Sequence, residues 1–345
     1  MSSTSSDLIA RRAEIINKEP QLRARDLAAR LNISEAELVA LRKEDVETVR
    51  LKSDWPAIIS AVGSLGRVMG LTRNESCVHE RKGVYGKLGG GAHVGLIVGD
   101  DIDLRIFFTQ WRSGFSVIEG DRRSLQFFDA QGMAIHKIYL TDQSDISAFN
   151  KLVAEFTSDD AAPLVIEEKA ERRSPLADSD VDLSAFHAAW DAMADTHQFH
   201  GLLMKFKLER TQALRLAGER RATPIDATAL RRTLSLAAER ETPIMVFVGN
   251  PGMIQIHTGP VTNLKPMGPW FNVMDEKFNL HLREDRIASA WVVYKPTDDG
   301  TVTSLELFDD NGDTIATLFG KRKPGQQEDE TWRAIVSDLF AKEAA

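Results

Sequence analysis

The sequence predicts an α+β fold with an internal duplication: two similar halves, each packing helices on a large, mainly antiparallel β-sheet. Each half begins with segments whose apolar residues recur at helical spacing, continues with short strand-like runs separated by turn residues, and ends with a helix. Blocks of similar residues occur in the same order in both halves. A chain of 345 residues is also long enough for two domains of typical size.

The first half shows its strongest helix signal at Ser34, where Glu37 follows three residues later as in a capping box. Asp129–Gly132 has the composition of a hairpin turn, and the glycine run Gly89–Gly91 predicts a flexible turn. Residues 25–42 resemble a DNA-binding helix-turn-helix, but interspersed acidic residues favour a structural helical unit. Helices are predicted at residues 8–43, 55–68 and 146–156, and strands at 95–98, 103–108, 114–119, 124–128 and 136–140.

The second half follows a polar stretch rich in Asp, Glu, Ser and Pro, which predicts a connector at residues 166–184. The predicted domains are therefore residues 1–165 and 185–345. Helices are predicted at residues 185–222, 227–240 and 332–342, and strands at 244–248, 254–258, 270–273, 278–282, 288–294, 302–308 and 314–319.

The duplication is visible when the halves are aligned. Residues 74–83 align with residues 250–259, and the same offset places residues 103–105 over 279–281. Residues 124–132 then align with residues 304–312. Each match is weak alone, but their common order is not. Because duplicated scaffolds keep their fold while sites diverge, the residues that are not repeated, namely His197, Arg105 and His79, are the better functional candidates.

Composition excludes several classes of protein. The formal net charge is -8, from 43 basic and 51 acidic residues, so the chain as a whole does not have the electrostatic footprint of a nucleic-acid or membrane-surface binder. Cys77 is the only cysteine, which excludes an intramolecular disulfide and a thiolate zinc site. The N-terminus lacks a signal-peptide pattern and no long apolar run occurs. We expect a cytoplasmic protein without a membrane span.

Residues 195–200, with the sequence Asp-Thr-His-Gln-Phe-His, open an amphipathic run at the start of the second half. His197 and His200 lie three residues apart, hence on one face if the run is helical. Imidazole is a common ligand of iron and the usual proximal ligand of haem. A histidine beside Leu and Phe is more often simply packed or exposed, so the motif alone leaves this alternative open.

Taken together, the motifs resemble the bacterial cytoplasmic haem-utilisation proteins of the HemS/ChuS/HmuS type, also called hemin-degrading factors. They run across nearly the whole chain in the family's order, which makes the resemblance specific. The motifs that carry it are residues 196–199, 103–107, 74–80, 245–250, 304–308 and 320–322.

The resemblance implies that His197 is the iron ligand of haem b and that Arg105, from the first half, lies on the distal side near the iron. Lys295 and Arg322 match basic residues that meet the haem propionates, and Arg210 would assist them. Phe107, Met245 and Phe247 would supply apolar walls.

Three positions carry open alternatives. His200 stands where the family usually has Phe, and it is an alternative ligand, a polar group of the pocket or a surface residue. Phe319 stands where relatives often carry Tyr, which removes a hydroxyl from the pocket. His79 matches a residue proposed in some relatives to bind a second haem, and a histidine ending a strand is an equally good interpretation.

The sequence leaves three functions open. The first is oxidative degradation of haem with release of iron, with Arg105 as the catalytic residue and an external electron donor. The second is a haem carrier, with a haem ABC importer or a separate haem oxygenase as partner; His200 favours it because a second histidine would allow ligand exchange. The third is a haem-responsive DNA-binding regulator, against which the acidic balance argues. The sequence leaves a monomer and a homodimer equally open.

Overall fold

The structure is a computed structural model that describes residues 5–41, 46–160, 162–172, 174–322 and 325–341. The chain divides into two compact units, each of which includes a short segment from the far side of the sequence. Unit 1 comprises the chain up to Arg73, Glu80–Ala170 and Asn250–Gln255. Unit 2 comprises Asn74–His79, Glu171–Gly249 and the chain from Ile256 onward.

Among its described residues, unit 1 contains five α-helices and the strands of the first half. The helices are α1 (Ser5–Lys18), α2 (Ala24–Leu31), α3 (Glu35–Ala40), α4 (Trp55–Val62) and α5 (Ile146–Phe156). The strands are β1 (Val46–Arg50), β2 (Gly66–Arg73), β3 (Cys77–Val84, whose first residues belong to unit 2), β4 (Gly89–Gly90), β5 (Val94–Ile97), β6 (Asp103–Phe107), β7 (Ser113–Glu119), β8 (Arg122–Phe128) and β9 (Ala134–Ser144).

Unit 2 repeats this sequence of elements. The helices are α6 (Leu183–Asp191), α7 (Gln198–Phe206), α8 (Arg210–Leu216), α9 (Ala229–Glu239) and α10 (Glu330–Asp338). The strands are β10 (Ala222–Ile225), β11 (Ile244–Asn250), β12 (Met253–Gly259, whose first residues belong to unit 1), β13 (Leu264–Met267), β14 (Trp270–Met274), β15 (Phe278–Arg283), β16 (Ser289–Thr297), β17 (Gly300–Phe308) and β18 (Thr314–Gly320).

The strands of the two units follow the same order. In unit 1 the order is β1, β7, β8, β9, β2, β3, and in unit 2 it is β10, β16, β17, β18, β11, β12. Each unit also carries an antiparallel ladder of three strands, β4–β5–β6 or β13–β14–β15. The duplication predicted from the sequence is therefore confirmed, because the strands of the two units have the same order.

Alternate residues of a strand point to opposite faces of the sheet. In each main sheet both faces carry buried apolar residues, and helices pack on both. In unit 2, Leu305 and Leu307 of β17 belong to the core beneath α9 and α10, whereas Phe308 belongs to the core beneath α6, α7 and α8. In unit 1, Phe127 of β8 packs with α4 and α5, and Phe128 packs with α3. The same alternation places Ser304 and Glu306 on the face beneath α6–α8, where the candidate site lies.

Corresponding asparagines hold the segments that each unit takes from the far side of the sequence. In unit 2, Asn74 Nδ2 donates to the carbonyl oxygen of Ile315 at 2.8 Å, and its Oδ1 accepts from the N–H of Ser76 and Cys77. In unit 1, Asn250 Nδ2 donates to the carbonyl oxygens of Arg73 and Ile135, and its Oδ1 accepts from Gly252 N–H. Position 74 aligned with position 250 in the sequence, so the duplication extends to these hydrogen bonds.

The helical prediction for residues 8–43 is resolved into α1, α2 and α3, with the predicted capping box at Ser34 and Glu37 present; residues 42 and 43 lie outside the described residues. The order of the helices makes α2 and α3 the counterparts of α7 and α8. This supports the interpretation of residues 25–42 as a structural helical unit rather than a DNA-binding helix-turn-helix. The predicted helix 146–156 is confirmed. The last predicted helix corresponds to α10, and its predicted end at Lys342 lies outside the described residues.

Several boundaries were predicted wrongly. The helix predicted to reach Val68 ends at Val62, because Gly66 has φ 73° and starts β2. The helical run predicted to reach Ala222 breaks into α6–α8, and Ala222 starts β10. Gly89 and Gly90 pair with β5 as a short strand rather than forming a flexible turn. The predicted strands also did not include β1, β2, β3, β10 and β13.

Candidate functional site

His197 lies at the start of α7 in unit 2, as its N-cap residue, with a side chain that is 87% exposed. Asp195 Oδ1 accepts from the His197 backbone N–H at 2.7 Å and from Nδ1 at 2.6 Å. The hydrogen bond from the backbone N–H of His197 is the largest of the causes that hold the pKa of Asp195 below its ordinary value. Because a carboxylate only accepts, Nδ1 carries a proton and Nε2 of the neutral ring keeps its lone pair. This is the arrangement found around metal-ligating histidines.

His200 lies in the first turn of α7 and is also exposed. Met204 follows one turn later on the exposed side, with 66% of its surface accessible. The structure therefore confirms that His197 and His200 begin the same helix, and both imidazoles are accessible to a ligand.

A buried group of charges lies beneath α7 and α8. Glu306 Oε2 accepts from Arg210 Nε at 2.7 Å, and its Oε1 accepts from Lys295 Nζ at 2.5 Å. Glu306 is fully buried and Lys295 is 2% exposed, whereas the Arg210 side chain is 32% exposed. Burial by itself raises the pKa of Glu306, but the two cations outweigh burial and hold the pKa below its ordinary value. The group contains two cations and one anion.

The ring of Phe199 connects this charged group to the histidine. Lys295 Nζ lies 4.8 Å and Arg210 Cζ lies 5.1 Å from the centre of that ring. Phe199 is 2% exposed and follows His197 by two residues in α7. Cation–π contacts of this kind, combined with burial, hold the beginning of α7 in place.

Half-buried apolar side chains continue the same face of the sheet. Met245 of β11 pairs with Phe319 of β18, and Phe319 pairs with Ser304 of β17. Phe247 lies edge-on to Phe319, with ring centroids 5.1 Å apart. The predicted wall residues Met245 and Phe247 are thus brought together with Phe319, beside the charged group.

Arg322 lies just after β18. Its Nη2 lies 3.5 Å from Asp299 Oδ2, and its side chain is 20% exposed. Its charge also contributes to the lowered pKa of Asp195, although as the smallest of the causes. Arg322 is therefore a third cation near His197, close enough to lower the pKa of Asp195.

The predicted distal residues lie on β6 of unit 1. Arg105 binds Asp103 through Nη1, and these two side chains share a face of the strand with Phe107. Burial raises the pKa of Asp103, and the guanidinium of Arg105 opposes that effect. Across the ladder, Leu96 pairs with Arg105 and Val94 with Phe107, and both apolar side chains are more than a third exposed. Unit 1 thus presents a partly exposed apolar strip that carries one guanidinium.

His79 is fully buried in unit 2, where its ring lies 4.9 Å from that of Phe278. A ligand from solvent cannot reach it in this conformation. Of the two interpretations left open by the sequence, the geometry favours the histidine packed within a strand.

Unit 1 has a different charge arrangement at the corresponding place. There Lys137 Nζ donates to Glu35 Oε2 at 2.7 Å, and both side chains are buried. Glu35 aligns with Arg210, and Gln126 aligns with Glu306. In unit 1 Lys137 is hydrogen-bonded to the carboxylate of Glu35, and the charges of Arg73 and Arg25 act on it as smaller causes of its lowered pKa. In unit 2 both Arg210 and Lys295 are hydrogen-bonded to the single carboxylate of Glu306.

Sequence reasoning missed Asp195 and Glu306 as members of the site. Asp195 was within the motif, and its spacing of two residues from His197 is typical of a local Asx-type hydrogen bond. Glu306 alternates with the apolar Leu305 and Leu307, so the strand pattern predicts an exposed carboxylate, and its burial is visible only in the structure.

Among the described residues, no helix is long and apolar enough to cross a membrane. The same residues contain no group of three or more His, Cys, Asp or Glu side chains arranged to hold a metal ion.

Comparison with known proteins defines the class of protein to which this fold and site belong. The family model described as the haemin-degrading HemS.ChuX domain matches twice, at residues 32–156 and 207–339. The chain therefore belongs to the HemS/ChuX haemin-degrading domain family, with one copy of the domain in each half.

Individual relatives match over nearly the whole chain. The hemin transport protein HemS of Yersinia enterocolitica is 42% identical over 329 residues, which cover 93% of this chain and 94% of that protein. The structure of the holo form of the heme-binding protein PhuS from Pseudomonas aeruginosa matches with a TM-score of 0.95 and 46% identity, covering 99% of this chain and 100% of PhuS. The heme degrading enzyme ChuS of Escherichia coli O157:H7 matches with a TM-score of 0.91 and 40% identity, covering 98% and 100%.

Proposed function

We propose that this chain binds haem b through the imidazole of His197 and acts in the acquisition of iron from haem. The observation that carries the proposal is the exposed His197 ring, whose Nδ1 is held by Asp195 beside a buried group with one excess positive charge. The names of the relatives support it, since they include a hemin transport protein, a heme-binding protein and a heme degrading enzyme.

The residues present fit the chemical needs of haem. Its iron needs a neutral nitrogen donor, its ring needs a broad apolar surface, and its propionates need cations. His197 would supply the donor, and Met245, Phe247 and Phe319 would supply the surface. Arg210 and Arg322 are partly exposed and would contact the propionates, while the buried Lys295 would add its charge from beneath.

Arg105 and Phe107 are proposed as residues of the distal wall, on the basis of the family resemblance. The exposed apolar strip around them supports this assignment, because such a strip is expected to be covered by an apolar partner. Arg105 would hold water or a polar ligand by hydrogen bonding, and Phe107 would exclude bulk water.

Bound haem would supply redox chemistry with oxygen, and the protein would bind and orient it. Asp195 keeps the proton of His197 on Nδ1, so that Nε2 keeps the lone pair that it would donate to iron. Arg210, Arg322 and Lys295 would hold the propionates and so would orient the ring in the site. Both degradation and transport need these steps.

We predict that replacing His197 by Ala removes the characteristic Soret absorption of the complex or weakens haem binding by at least about tenfold. The measurement is titration of the purified protein with haem, followed by absorption spectroscopy. His200→Ala is the matched control, because His200 is exposed on the same helix but lacks the Asp195 contact. An unchanged spectrum and affinity in His197→Ala would refute the ligand assignment.

Oxidative degradation is proposed as the activity, and a carrier function is the second candidate. The carrier is favoured by the exposed His200, which lies one turn from His197 and would offer the iron another ligand during transfer. The discriminating experiment supplies the haem complex with oxygen, a physiological reductant and catalase. Stoichiometric release of iron with a defined tetrapyrrole product supports an enzyme. Loss of absorption that catalase abolishes reflects peroxide damage and supports the carrier.

A further inference from the structure

The hairpin formed by β16 and β17 in unit 2 is longer than the corresponding hairpin of unit 1. β7 and β8 contain seven residues each, whereas β16 and β17 contain nine each. Both hairpins turn at two residues, so the added length consists of two residue pairs next to the turn. Residues 296–301, here called the hairpin tip, are therefore an addition to unit 2.

The connection that leads to the last helix is also longer in unit 2. In unit 1 a single residue, Asp145, separates β9 from α5, whereas residues 321–329 separate β18 from α10. This connection carries Arg322, the partly exposed cation that we assign to a haem propionate. Both additions therefore belong to the unit that also carries His197.

The connection is hydrogen-bonded to the hairpin. Asp299 Oδ2, in the turn of the hairpin tip, accepts from the Gly325 N–H at 2.9 Å. Further along, Glu328 Oε1 accepts from the Thr303 N–H at 2.6 Å, and Trp332 Nε1 donates to the Thr303 carbonyl at 3.1 Å. The position of the connection, and with it that of the cation it carries, therefore depends on the hairpin.

The hairpin tip also contacts the loop that carries His197. The Asp298 N–H donates to the Ala194 carbonyl at 3.0 Å, and the Ala194 N–H donates to Gln198 Oε1 at 2.8 Å. The tip thus contacts two segments that each carry a residue proposed to bind haem: the loop before α7 and the connection after β18.

The contact between Asp299 and Arg322 is a loose ion pair. Arg322 Nη2 lies 3.5 Å from Asp299 Oδ2, whereas charge-assisted hydrogen bonds are about 2.7–2.9 Å long. Arg221 shows the tighter alternative, since its Nε and Nη2 donate to the two oxygens of Asp191 at 2.7 Å and 2.6 Å. The guanidinium of Arg322 is therefore near a negative charge and can still form closer bonds with another carboxylate.

A carboxylate that binds Arg322 also comes near Asp299. The side chains of Arg322 and Asp299 are 20% and 31% exposed, so solvent screens their charges only in part. Two carboxylates near one guanidinium repel each other. A propionate that binds Arg322 must either displace Asp299 from the guanidinium or share the guanidinium with it, and both lower the affinity.

We propose that Asp299 competes with the haem propionates for Arg322 and so limits the affinity of the site. This inference rests on the proposed function, in which Arg322 contacts a propionate. Arg322 pairs with Asp299 in the empty site and with the propionate in the filled one, while Asp299 keeps its hydrogen bond from the Gly325 N–H. Degradation and transport both require the ligand or its product to leave, and Asp299 favours that step.

The test compares haem binding by the purified full chain with binding by Asp299→Asn. Asparagine keeps an oxygen that accepts from the Gly325 N–H but carries no charge. We expect Asp299→Asn to bind haem about three- to tenfold more tightly at low ionic strength, and we expect the difference to shrink as salt is added. Asp298→Asn is the matched control, because Asp298 is exposed and contacts the loop through its main chain; its affinity should change by less than about twofold.

Two further measurements show whether the charge of Asp299 acts through Arg322. In an Arg322→Gln background, Asp299→Asn should change the affinity for haem by less than about twofold. The dimethyl ester of haem, whose propionates carry no charge, should bind equally well to the unaltered protein and to Asp299→Asn. Urea unfolding without haem checks that Asp299→Asn is folded, and Asp299→Ser, which also keeps an acceptor, replaces it where it is not.

Equal or weaker binding of haem by Asp299→Asn would overturn the proposal, as would a gain in affinity that persists in the Arg322→Gln background or with the dimethyl ester. Failure of the proposed function has a different signature. Haem binding that His197→Ala leaves unchanged would refute the ligand assignment alone, whereas absence of haem binding by the unaltered protein would overturn both.

Discussion

Asp195 and Glu306 each accept hydrogen bonds from two donors. Asp195 lies at the surface, and Glu306 lies in the interior. Asp195 fixes the ring and backbone of His197, and Glu306 fixes Arg210 and Lys295. Side chains that are already held lose less conformational freedom when a ligand binds, so these two carboxylates would favour the proposed binding of haem by orienting the residues that contact it.

A third polar group at the residue scale is buried in unit 1. Tyr85 Oη lies 2.5 Å from His136 Nε2, and Thr72 Oγ1 lies 2.9 Å from His136 Nδ1. Thr72 donates its hydroxyl proton to Gln255 Oε1 at 2.8 Å, so Nδ1–H must donate to Thr72 and Nε2 must accept from Tyr85. Burial lowers the pKa of His136 from 6.5 to about 3. The ring is therefore neutral in the folded protein.

We predict that acid destabilises unit 1 through His136. Above pH 6.5 the ring is neutral in both states, and the folded protein keeps its full stability. As the pH falls from 6.5 towards about 3, the unfolded state binds a proton that the folded state excludes, so stability is lost by about 1.4 kcal/mol per pH unit. Urea unfolding at pH 7 and pH 5 should show a loss of about 2 kcal/mol from this residue.

The control for this prediction is His136→Gln, which keeps a polar side chain but does not titrate. Its loss of stability between the two pH values should be smaller than that of the unaltered protein by that amount. Equal losses in the two proteins would contradict the assignment, as would an NMR titration that shows His136 charged in the folded protein at pH 5.

At the scale of the elements, the paired asparagines show how segments distant in sequence are held. Asn74 and Asn250 both form Asx-type bonds to the N–H two residues later, and both donate to carbonyl oxygens of strands within their own unit. Each side chain thus satisfies main-chain groups that a neighbouring strand leaves unpaired.

We predict that Asn74→Ala lowers the free energy of unfolding by about 2–4 kcal/mol, because several buried main-chain groups lose their partner. Asn250→Ala should have an effect of similar size. Asn263→Ala is the control: Asn263 also donates to a carbonyl, that of Met274, but it is exposed, so its loss should cost at most about 1 kcal/mol. Urea unfolding measures all three, and equal effects would contradict the prediction.

The sequence predicted best those elements whose own residues determine them. Residues 124–127 alternate in polarity as a strand does, and α5 has a clear apolar stripe with an Asp145 N-cap. It failed where a helix-ending glycine or a strand partner overrides the pattern of the segment itself. The apolar spacing of α4 continues past Val62, yet Gly66 ends the helix, and β4 forms only because β5 pairs with it.

The candidate site shows the same limit. His197 could be predicted as a ligand because the chemistry of imidazole is visible in one short motif, and that assignment stays a prediction. The pairing of Glu306 with Arg210 was not, since the two residues are separated by 96 positions and only the folded sheet brings them together. The burial of His79 was likewise invisible in the sequence, because it depends on the ring of Phe278.

At the scale of the whole molecule, the units do not coincide with contiguous halves of the chain, since unit 1 includes Asn250–Gln255. We predict that a fragment of residues 1–170 unfolds at a lower urea concentration than the same unit in the intact chain. Without Gln255, both Thr72 and the Gly70 carbonyl lose a buried partner. Tryptophan fluorescence measures the transition.

Addition of a fragment containing residues 171–345 should restore the stability of the first fragment, because it supplies residues 250–255. A Gln255→Ala version of the second fragment should restore less. An isolated first fragment as stable as the intact unit would show that the added segment contributes nothing.

The segment of β12 that completes unit 1, and the segment of β3 that completes unit 2, follow equivalent asparagines. A single repeat on its own would lack the segment that completes its unit, and two separate copies would have to exchange that segment. Because both repeats lie in one chain, each unit has its completing segment at a fixed one-to-one ratio. Selection could then alter one copy of each position alone, as the unrepeated His197 illustrates.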